Sequence, residues 1–307
     1  MPSVVCLGAV LIDELFFCQE EVITATSNPA ISKKNIGGVM SNIARHLSLL
    51  ELDVEFITVF GSDTDAEFIK KNLLETGLSL QHSLQIDEPT GKYCAFHQPD
   101  GSLFTAACSD TLSKMITADF LQLRVDVFKN AEMIIADTNL EIEALEWLIN
   151  LAFTENKKLI IEPVSVAKAR KLFALDLNGV FMITPNQDEI YSIQNDAENK
   201  LDNLSMMLIN RGVKQVWISM GEKGSVIYNG SNQIQLGVPQ ITIKDATGAG
   251  DAALAAWIFA YLNQFSEINC LKIAHGFALE ILHKEGAVDK SITKEKLLSL
   301  LTKYYHD

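Results

Sequence analysis

The sequence is poor in cysteine, and the few cysteines it has are scattered along the chain. There is no C-x-x-C pair and no cysteine–histidine spacing that would hold a metal, which argues against a zinc site and a disulfide framework. An odd number of isolated thiols is typical of a reducing compartment, so the composition predicts a cytoplasmic protein. The five cysteines are Cys6, Cys18, Cys94, Cys108 and Cys270.

Positive charge is also scarce. The chain has 25 Lys and Arg against 39 Asp and Glu, a formal net charge of −14. This balance argues against a nucleic-acid polymer or an anionic membrane as partner. It still allows an anionic nucleotide, because a local cradle of backbone N–H groups outweighs distant surface charge.

Long apolar runs and a dinucleotide fingerprint are missing as well. The longest apolar run, near Ala252–Leu262, is too short to span a membrane. The start, MPSVVCLGAVLIDELFF, has no basic leader and carries Asp13 and Glu14, which predicts a buried first strand rather than a signal peptide. No G-x-G-x-x-G follows that strand, and this argues against a nicotinamide dehydrogenase.

What the chain does have is an alternation of short apolar runs with helical patterns over 307 residues, 48% of them apolar. This alternation predicts βαβ units and a mostly parallel sheet, whose ligands gather at the carboxyl ends of the strands. The predicted strands are Val4–Gly8, Val54–Phe60, Met133–Asp137, Lys158–Glu162, Val180–Ile183, Gln215–Ser219 and Ser225–Tyr228. The predicted helices are Val39–Leu50, Asp65–Thr76, Glu141–Thr154, Lys200–Arg211, Gly250–Leu262, Ile268–His283 and Thr293–Lys303.

The stretch from Lys244 to Leu262 joins a polar, glycine-bearing turn, DATGAGD, to an apolar helix. The turn leaves backbone N–H groups unpaired at the positive end of the helix dipole, where a phosphate binds well. Asp251 would repel that anion unless it takes a proton from an attacking hydroxyl, which is the role that we predict. A helix cap in a tight turn is the alternative for a lone G-x-G. One helix face is predicted to be buried through Leu254, Ile258, Tyr261 and Leu262.

The string DxxGAGD before an apolar helix resembles the signature of the ribokinase-type, or phosphofructokinase-B, family of sugar and nucleoside kinases. The resemblance implies that Asp251 is the catalytic base and that Gly248, Ala249 and Gly250 form the anion hole. It extends over essentially the whole chain. A second family signature, GGxxxNxA, matches this sequence at Gly37, Gly38 and Asn42.

The family fold is a three-layer α/β/α sandwich with a mostly parallel central sheet and a small β-sheet lid. The resemblance therefore implies one ribokinase-like domain over residues 1–307. The segment KYCAFHQ-PDG-SLFTAAC reads as a hairpin of mixed polarity, which predicts a half-buried sheet. We expect the lid to comprise residues of about 14–18, 30–35 and 90–109. Such lids often form dimer contacts in this family, which implies a homodimer.

Several polar residues beside predicted strands match substrate positions of the family. Asp13 follows the first strand, and a carboxylate there can accept two hydrogen bonds from a ribose diol, although a turn cap is the alternative. Asn42 would reach a sugar hydroxyl, with Gly37 and Gly38 permitting close backbone approach. The segments A-D-x-N and E-P-V-S-x-x-K resemble the pseudouridine-kinase subgroup of the family and nominate Asn139, Glu162 and Lys168.

Other matches concern ATP and its cations. The N-x-x-E motif places Asn186 near the triphosphate and Glu189 on Mg²⁺ through water, with a helix cap as the alternative. A monovalent cation, K⁺, is implied near Asp245 and Thr247, although Ala246 replaces the commoner Thr. Contacts to the nucleotide are implied for Ser219, Gly221, Gly224 and His275, the last of which has a surface helix position as its alternative.

Taken together, these features predict an ATP-dependent kinase that phosphorylates the 5′-hydroxyl of pseudouridine. The first alternative is a kinase of the same fold that acts on ribose, adenosine or a hexose. The second, from another class, is a non-catalytic ligand sensor built on a kinase scaffold, although the intact Asp251 and Gly-Ala-Gly turn argue against it.

Overall fold

The computed structural model describes residues 4–194, 199–230 and 232–305. The strands in this part of the chain are β1 (Val4–Leu7), β2 (Leu11–Cys18), β3 (Ala30–Gly37), β4 (Val54–Ile57), β5 (Val59–Phe60), β6 (Leu84–Gln85), β7 (Lys92–His97), β8 (Leu103–Ser109), β9 (Met133–Asp137), β10 (Lys158–Glu162), β11 (Val180–Ile183), β12 (Gln215–Ser219), β13 (Ser225–Asn229) and β14 (Asn232–Leu236). The α-helices are α1 (Val39–Leu49), α2 (Thr64–Leu74), α3 (Ala118–Gln122), α4 (Val125–Asn130), α5 (Ile142–Thr154), α6 (Val166–Ala169), α7 (Lys171–Ala174), α8 (Gln187–Gln194), α9 (Leu201–Asn210), α10 (Ala249–Leu262), α11 (Glu267–Leu282) and α12 (Lys294–Tyr305).

A central sheet organises the fold. In the described residues it has eight strands, in the order β14-β13-β12-β11-β10-β9-β1-β4. All pairs from β4 across to β12 are parallel, and β13 and β14 are added antiparallel at one edge. The prediction of a mostly parallel sheet is confirmed. Its carboxyl-terminal ends lie together along one rim, which is where the polar strand-end residues collect.

Helices cover both faces of this sheet, which explains why its strands are almost continuously apolar. In β1, Val4 and Cys6 belong to one buried cluster, which is shared with α1 and α10. The alternate residues Val5 and Leu7 belong to a second buried cluster, on the side of α5 and α9. Successive strand residues point to opposite faces, so two cores form, and the result is the predicted three-layer sandwich.

The predicted strand Val54–Phe60 is divided in the structure. Residues 54–57 form β4 in the central sheet, whereas β5 leaves it and pairs in parallel with β6. The break falls at Thr58, whose N–H donates to Ser83 Oγ and whose carbonyl accepts from Leu84 N. These bonds redirect the chain, and no local pattern in the sequence marked them.

The four strands β3, β2, β7 and β8 form a separate small sheet in the described residues, and we call it the small sheet. The predicted hairpin is present as β7 and β8, and β2 and β3 lie beside it. Every residue of β8 is exposed, and β7 is largely half-buried, as the mixed polarity indicated. The small sheet begins at Leu11, four residues after β1 ends at Leu7, so its first strand starts next to the rim of the central sheet.

Helix α10 is more deeply buried than its spacing predicted. Residues 252–260 are all buried, because α1 and α11 pack against this helix as well as the sheet. The sequence predicted only one buried face, whereas the helix is buried on all sides over residues 252–260. Tyr261 and Leu262, which were assigned to the predicted face, are only half-buried. A helix that is apolar all round is typical of such a central position. Its polar amino terminus is therefore fixed rigidly in the middle of the rim.

Candidate active site

The amino terminus of α10 presents unpaired backbone donors. Gly248 caps the helix with φ of 77°, and a Cβ at this position would lie 2.5 Å from Ala287 Cα, so only glycine fits. The N–H groups of Gly248, Gly250 and Asp251 donate to no backbone acceptor among the described residues. A Cβ on Gly250 would meet nothing within 4 Å, so the backbone at this residue borders open space. The turn is thus arranged as an anion cradle.

Asp251 lies in the first turn of α10, beside this cradle. Its Oδ2 accepts a hydrogen bond of 2.8 Å from Asn42 Nδ2, which comes from α1. The pKa of Asp251 is raised to about 7: burial is the largest cause, the negative charges of Asp137 and Asp13 add to it, and the bond from Asn42 acts in the opposite direction. A carboxylate whose pKa lies near neutrality is well suited to accept a proton from a hydroxyl.

Activity should depend on the ionisation of Asp251. Because only the carboxylate form accepts a proton, we expect kcat/KM to rise as the pH is raised through about 7 and then to level off. Asn42→Ala removes the hydrogen bond that lowers this pKa, so its acidic limb should move to higher pH. Rates measured with saturating ATP from about pH 5.5 to 9 would show the acidic limb of the wild-type protein and that of Asn42→Ala. A profile without a rise near pH 7 would contradict this assignment.

Asp13 and the two glycines at the end of β3, Gly37 and Gly38, meet at the start of the small sheet. A Cβ on Gly37 would lie 2.1 Å from Asp13 Oδ1, so the bare glycine makes room for this carboxylate. Gly38 has φ of 99°, and a Cβ there would lie 2.5 Å from the Ala9 carbonyl oxygen. Burial raises the pKa of Asp13 to about 6. The structure therefore places a half-buried carboxyl group just after the chain passes from β1 of the central sheet into β2 of the small sheet.

The segments after β9 and β10 come together at the same rim. Lys168 Nζ donates to Asn139 Oδ1, which joins two of the predicted substrate residues. The Asn139 N–H donates to Asp137 Oδ1 at 2.9 Å. Asp137 is fully buried, its Oδ2 has no hydrogen-bond partner in the described residues, and burial raises its pKa to about 6.

Sequence reasoning did not select Asp137 as a site residue. The signal that was available is its place as the first charged residue after the apolar run of β9. Gly8 explains how it fits, because a Cβ on Gly8 would lie 2.4 Å from Asp137 Oδ2. The negative charges of Asp13 and Asp137 are both close enough to raise the pKa of Asp251.

Glu162 lines a smaller cavity of about 210 Å³ together with Asp251, Gly250 and Glu189. Thr184 Oγ1 donates to Glu162 Oε2, and Val164 N donates to the other carboxylate oxygen at 3.3 Å. Burial raises the pKa of Glu162 well above its ordinary value. These bonds make Glu162 a brace for the loop after β10. Val164 in that loop has φ of 66°, a strained conformation for a β-branched residue, and it also lines the cavity.

The motif N-x-x-E forms a reciprocal cap at the start of α8. Asn186 N donates to Glu189 Oε2, and Glu189 N donates to Asn186 Oδ1, both at 2.9 Å. The capping alternative is therefore present in the structure, and it does not exclude a metal role, because one oxygen of Glu189 is outside the cap. Both side chains also line the smaller cavity.

A larger cavity of about 560 Å³ adjoins this one and shares Trp217, Ser219, Gly250 and Ala253 with it. Its walls are mostly apolar, as is usual for sites that hold a nucleobase. Four residues predicted to contact the nucleotide line it: Ser219, Gly221, Gly224 and His275. His275 is buried, so the alternative of a surface position is wrong. Ala249 and Gly250 link this cavity to the anion cradle.

Asp245 and Thr247 lie in the loop before the cradle. Asp245 Oδ1 accepts from Thr247 N at 2.9 Å, and Oδ2 accepts from Gly286 N at 3.0 Å. These two bonds lower the pKa of Asp245 against the raising effect of burial. Because both oxygens hold backbone groups, the carboxylate braces two loops, and a monovalent cation here would depend on backbone carbonyl oxygens.

The residues present suit a hydrated Mg²⁺ rather than a protein cage. In the described part of the chain, no group of three or more His, Cys, Asp or Glu residues is arranged to hold a metal ion. Glu189 offers one carboxylate near the cradle, and Mg²⁺ in phosphate sites keeps several waters and takes few protein ligands.

None of the described helices has the length and apolarity that a membrane crossing requires.

An apolar cavity, an amide cradle and a buried carboxylate in sequence along one rim define the class of this protein: a kinase that transfers a phosphoryl group from ATP to a sugar or nucleoside. Comparison with known proteins identifies the family. The pfkB family carbohydrate kinase model matches residues 1–294. The chain belongs to that family.

Individual relatives agree with this assignment. Pseudouridine kinase of Escherichia coli K12 is 25% identical over 303 residues, which cover 97% of this chain and 96% of that protein. A putative sugar kinase from Clostridium perfringens superposes with a TM-score of 0.85 at 23% identity, covering 99% of this chain and 96% of that one. Arabidopsis thaliana ribokinase, solved with ribose and ATP, superposes with a TM-score of 0.84 at 20% identity, covering 98% of each chain. The two structures show that the fold is shared.

Proposed function

We propose that this kinase phosphorylates the 5′-hydroxyl of pseudouridine, a C-nucleoside. The observation that carries the proposal is the junction of Asn139 and Lys168, because it unites the two segments that resemble pseudouridine kinases. An amide and an ammonium group side by side suit a pyrimidine ring that offers both carbonyl and N–H groups. The similarity to the Escherichia coli pseudouridine kinase supports the same substrate.

In this proposal each side chain has one task. Asp13 accepts hydrogen bonds from the ribose diol, while Asn139 and Lys168 face the base. Asn42 holds Asp251 by its hydrogen bond and orients it toward the 5′-hydroxyl. Asp251 takes the proton as the 5′-oxygen bonds to the γ-phosphorus of ATP, whose bond to the β,γ-bridging oxygen breaks to release ADP. The N–H groups of Gly248, Gly250 and Asp251 stabilise charge on the transferring group. Glu189 would hold Mg²⁺ through water, and the ion neutralises phosphate charge when bound.

A panel of substrates tests the assignment. Pseudouridine, uridine, adenosine, ribose and a hexose would each be compared by kcat/KM in a coupled assay for ADP. We expect pseudouridine to give the highest value. Turnover of ribose or adenosine far above that of pseudouridine would refute the substrate and keep the kinase. No ADP production with any sugar would favour a sensor.

Replacing Glu189 separates its metal role from its cap. Glu189→Gln keeps an oxygen that accepts from Asn186 N, so the cap should persist while the negative charge is lost. We expect the Mg²⁺ concentration for half-maximal rate to rise about 10- to 100-fold, as is usual for changes near a metal site. Asp188→Asn, at the exposed neighbouring position, is the matched control. An unchanged Mg²⁺ requirement in Glu189→Gln would eliminate the metal role.

Three further parts of the proposal rest on the resemblance. The first is one functional unit over residues 1–307, with the small sheet closing over the sugar to exclude water. The second is a homodimer, supported by the exposed apolar side chains of the small sheet, which are Ile31, Phe96, Leu103 and Phe104. Light scattering that gives a monomer would refute the homodimer.

The third is a requirement for K⁺. Equal rates in potassium and in tetramethylammonium would refute this requirement.

A further inference from the structure

A chain of hydrogen bonds runs along the larger cavity, from β12 to the end of α12. Trp217 Nε1 donates to Ser225 Oγ at 2.8 Å, and Ser225 Oγ lies 2.7 Å from His275 Nε2. His275 Nδ1 lies 3.1 Å from the hydroxyl oxygen of Tyr305, which donates to the Gly237 carbonyl oxygen at 3.3 Å. The first three of these residues line the cavity, and Tyr305 and Gly237 extend the chain beyond its lining.

His275 has no ring nitrogen left for a ligand. Burial lowers the pKa of His275 to about 4, so the ring is neutral near pH 7 and has one donor and one acceptor nitrogen. Ser225 engages one nitrogen and Tyr305 engages the other. The imidazole therefore faces the cavity as a wall of fixed orientation rather than as a hydrogen-bonding group.

Another part of the cavity lining comes from the segment 237–243, GVPQITI, which we call the outer wall. Five of its residues line the cavity: Val238, Pro239, Gln240, Ile241 and Ile243. Among the described residues, the outer wall makes no backbone–backbone hydrogen bond, and such bonds resume when Lys244 N donates to Leu282 O at 2.8 Å. The bond from Tyr305 to Gly237 thus ties the start of this wall to the body of the protein.

We propose that Tyr305 is a positioning residue for the nucleotide. Its hydroxyl holds the His275 ring on one side and the outer wall on the other, in the arrangement that receives the nucleobase of ATP. This inference rests on the proposed function and on the placement of its ATP in the larger cavity, which the predicted nucleotide contacts Ser219, Gly221 and Gly224 line. A cavity whose walls are held in place before binding loses less freedom on binding, so its affinity is higher.

Tyr305→Phe removes one hydroxyl and keeps the ring. With two hydrogen bonds lost, we expect the Kd of ADP, measured by calorimetry without nucleoside, to rise roughly 5- to 20-fold. The KM for ATP should rise in parallel, whereas kcat and the KM for the nucleoside should stay within about twofold, because Tyr305 contacts no reacting group.

Tyr304→Phe is the matched control, because Tyr304 lies next to Tyr305 on α12. Its hydroxyl donates to Glu280 Oε1 of α11 at 2.7 Å. Equal Kd values for Tyr305→Phe and Tyr304→Phe would overturn the inference. If Tyr305→Phe does not fold, Ser225→Ala interrupts the same chain of hydrogen bonds on the other side of His275 and should weaken ADP binding. Unchanged ADP binding in Ser225→Ala would overturn the inference. Wild-type protein that binds no ADP would overturn it together with the placement of ATP. Protein that binds ADP but does not turn over pseudouridine would refute only the substrate, and the Kd comparison would still decide the role of Tyr305.

Discussion

Asp251→Asn should reduce kcat by about 10²–10⁴-fold and leave nucleoside binding nearly intact, because the loss of a positioned general base costs this much. The amide keeps the size of the carboxylate and can still accept from Asn42 Nδ2. It cannot accept the proton of the 5′-hydroxyl. Single-turnover rates together with the Kd of the nucleoside would measure the two effects separately.

Two controls show whether the loss is chemical. Asp126→Asn, at an exposed position of α4, should have normal kcat. The pKa of Asp251 is raised from 3.8 to about 7 in the folded protein, so its stabilising contribution declines as the pH rises from about 4 to about 7. Asp251→Asn should therefore have an equal or higher Tm at pH 8. A variant that keeps near-normal kcat would remove Asp251 from the mechanism.

Asp13→Ala should reduce kcat/KM for the nucleoside by roughly 10²–10⁴-fold, because two hydrogen bonds to a charged group contribute about 1.5–3 kcal/mol each. Gly37→Ala disturbs the same carboxylate without replacing Asp13, since the new Cβ would lie 2.1 Å from Asp13 Oδ1 and must displace it. We expect both variants to lose nucleoside affinity and to keep the KM for ATP. Steady-state kinetics with each substrate varied in turn would measure this.

Asp100→Ala is the matched control for these variants. Asp100 is an exposed aspartate at the turn between β7 and β8, in the same small sheet, and it holds Ser102. Its removal should leave kcat/KM unchanged. Asp13→Ala that raises the KM for ATP as much as that for the nucleoside would indicate general damage, and the assignment of Asp13 to the ribose would then be wrong.

Most of the sheet was predictable because its signals are local. The strands from β9 to β12 begin and end at the predicted residues, since each is a short apolar run closed by polar or turn residues. Strand β14 was missed because polar residues alternate along it on an exposed edge. The break at Thr58 was missed because it depends on bonds to residues 83 and 84.

The candidate site divides in the same way. The amide cradle and Asp251 lie within four consecutive residues, and the geometry of a helix start follows from the glycines themselves. The hydrogen bond from Asn42 to Asp251 could not be predicted from the sequence, because the two residues are 209 positions apart. The sequence had indicated a sugar hydroxyl as the partner of Asn42. Asp137 was missed because its raised pKa comes from burial, and its effect on Asp251 comes from a contact between distant parts of the chain.

The sequence by itself determined the family, most strands of the central sheet, and the turn that offers N–H groups beside a carboxylate, since each depends on contiguous residues. Only the tertiary structure decided which side chains meet: Lys168 with Asn139, Asn42 with Asp251, and Tyr305 with His275. It also decided how basic Asp251 is, because that property follows from the exclusion of water by elements from every part of the chain.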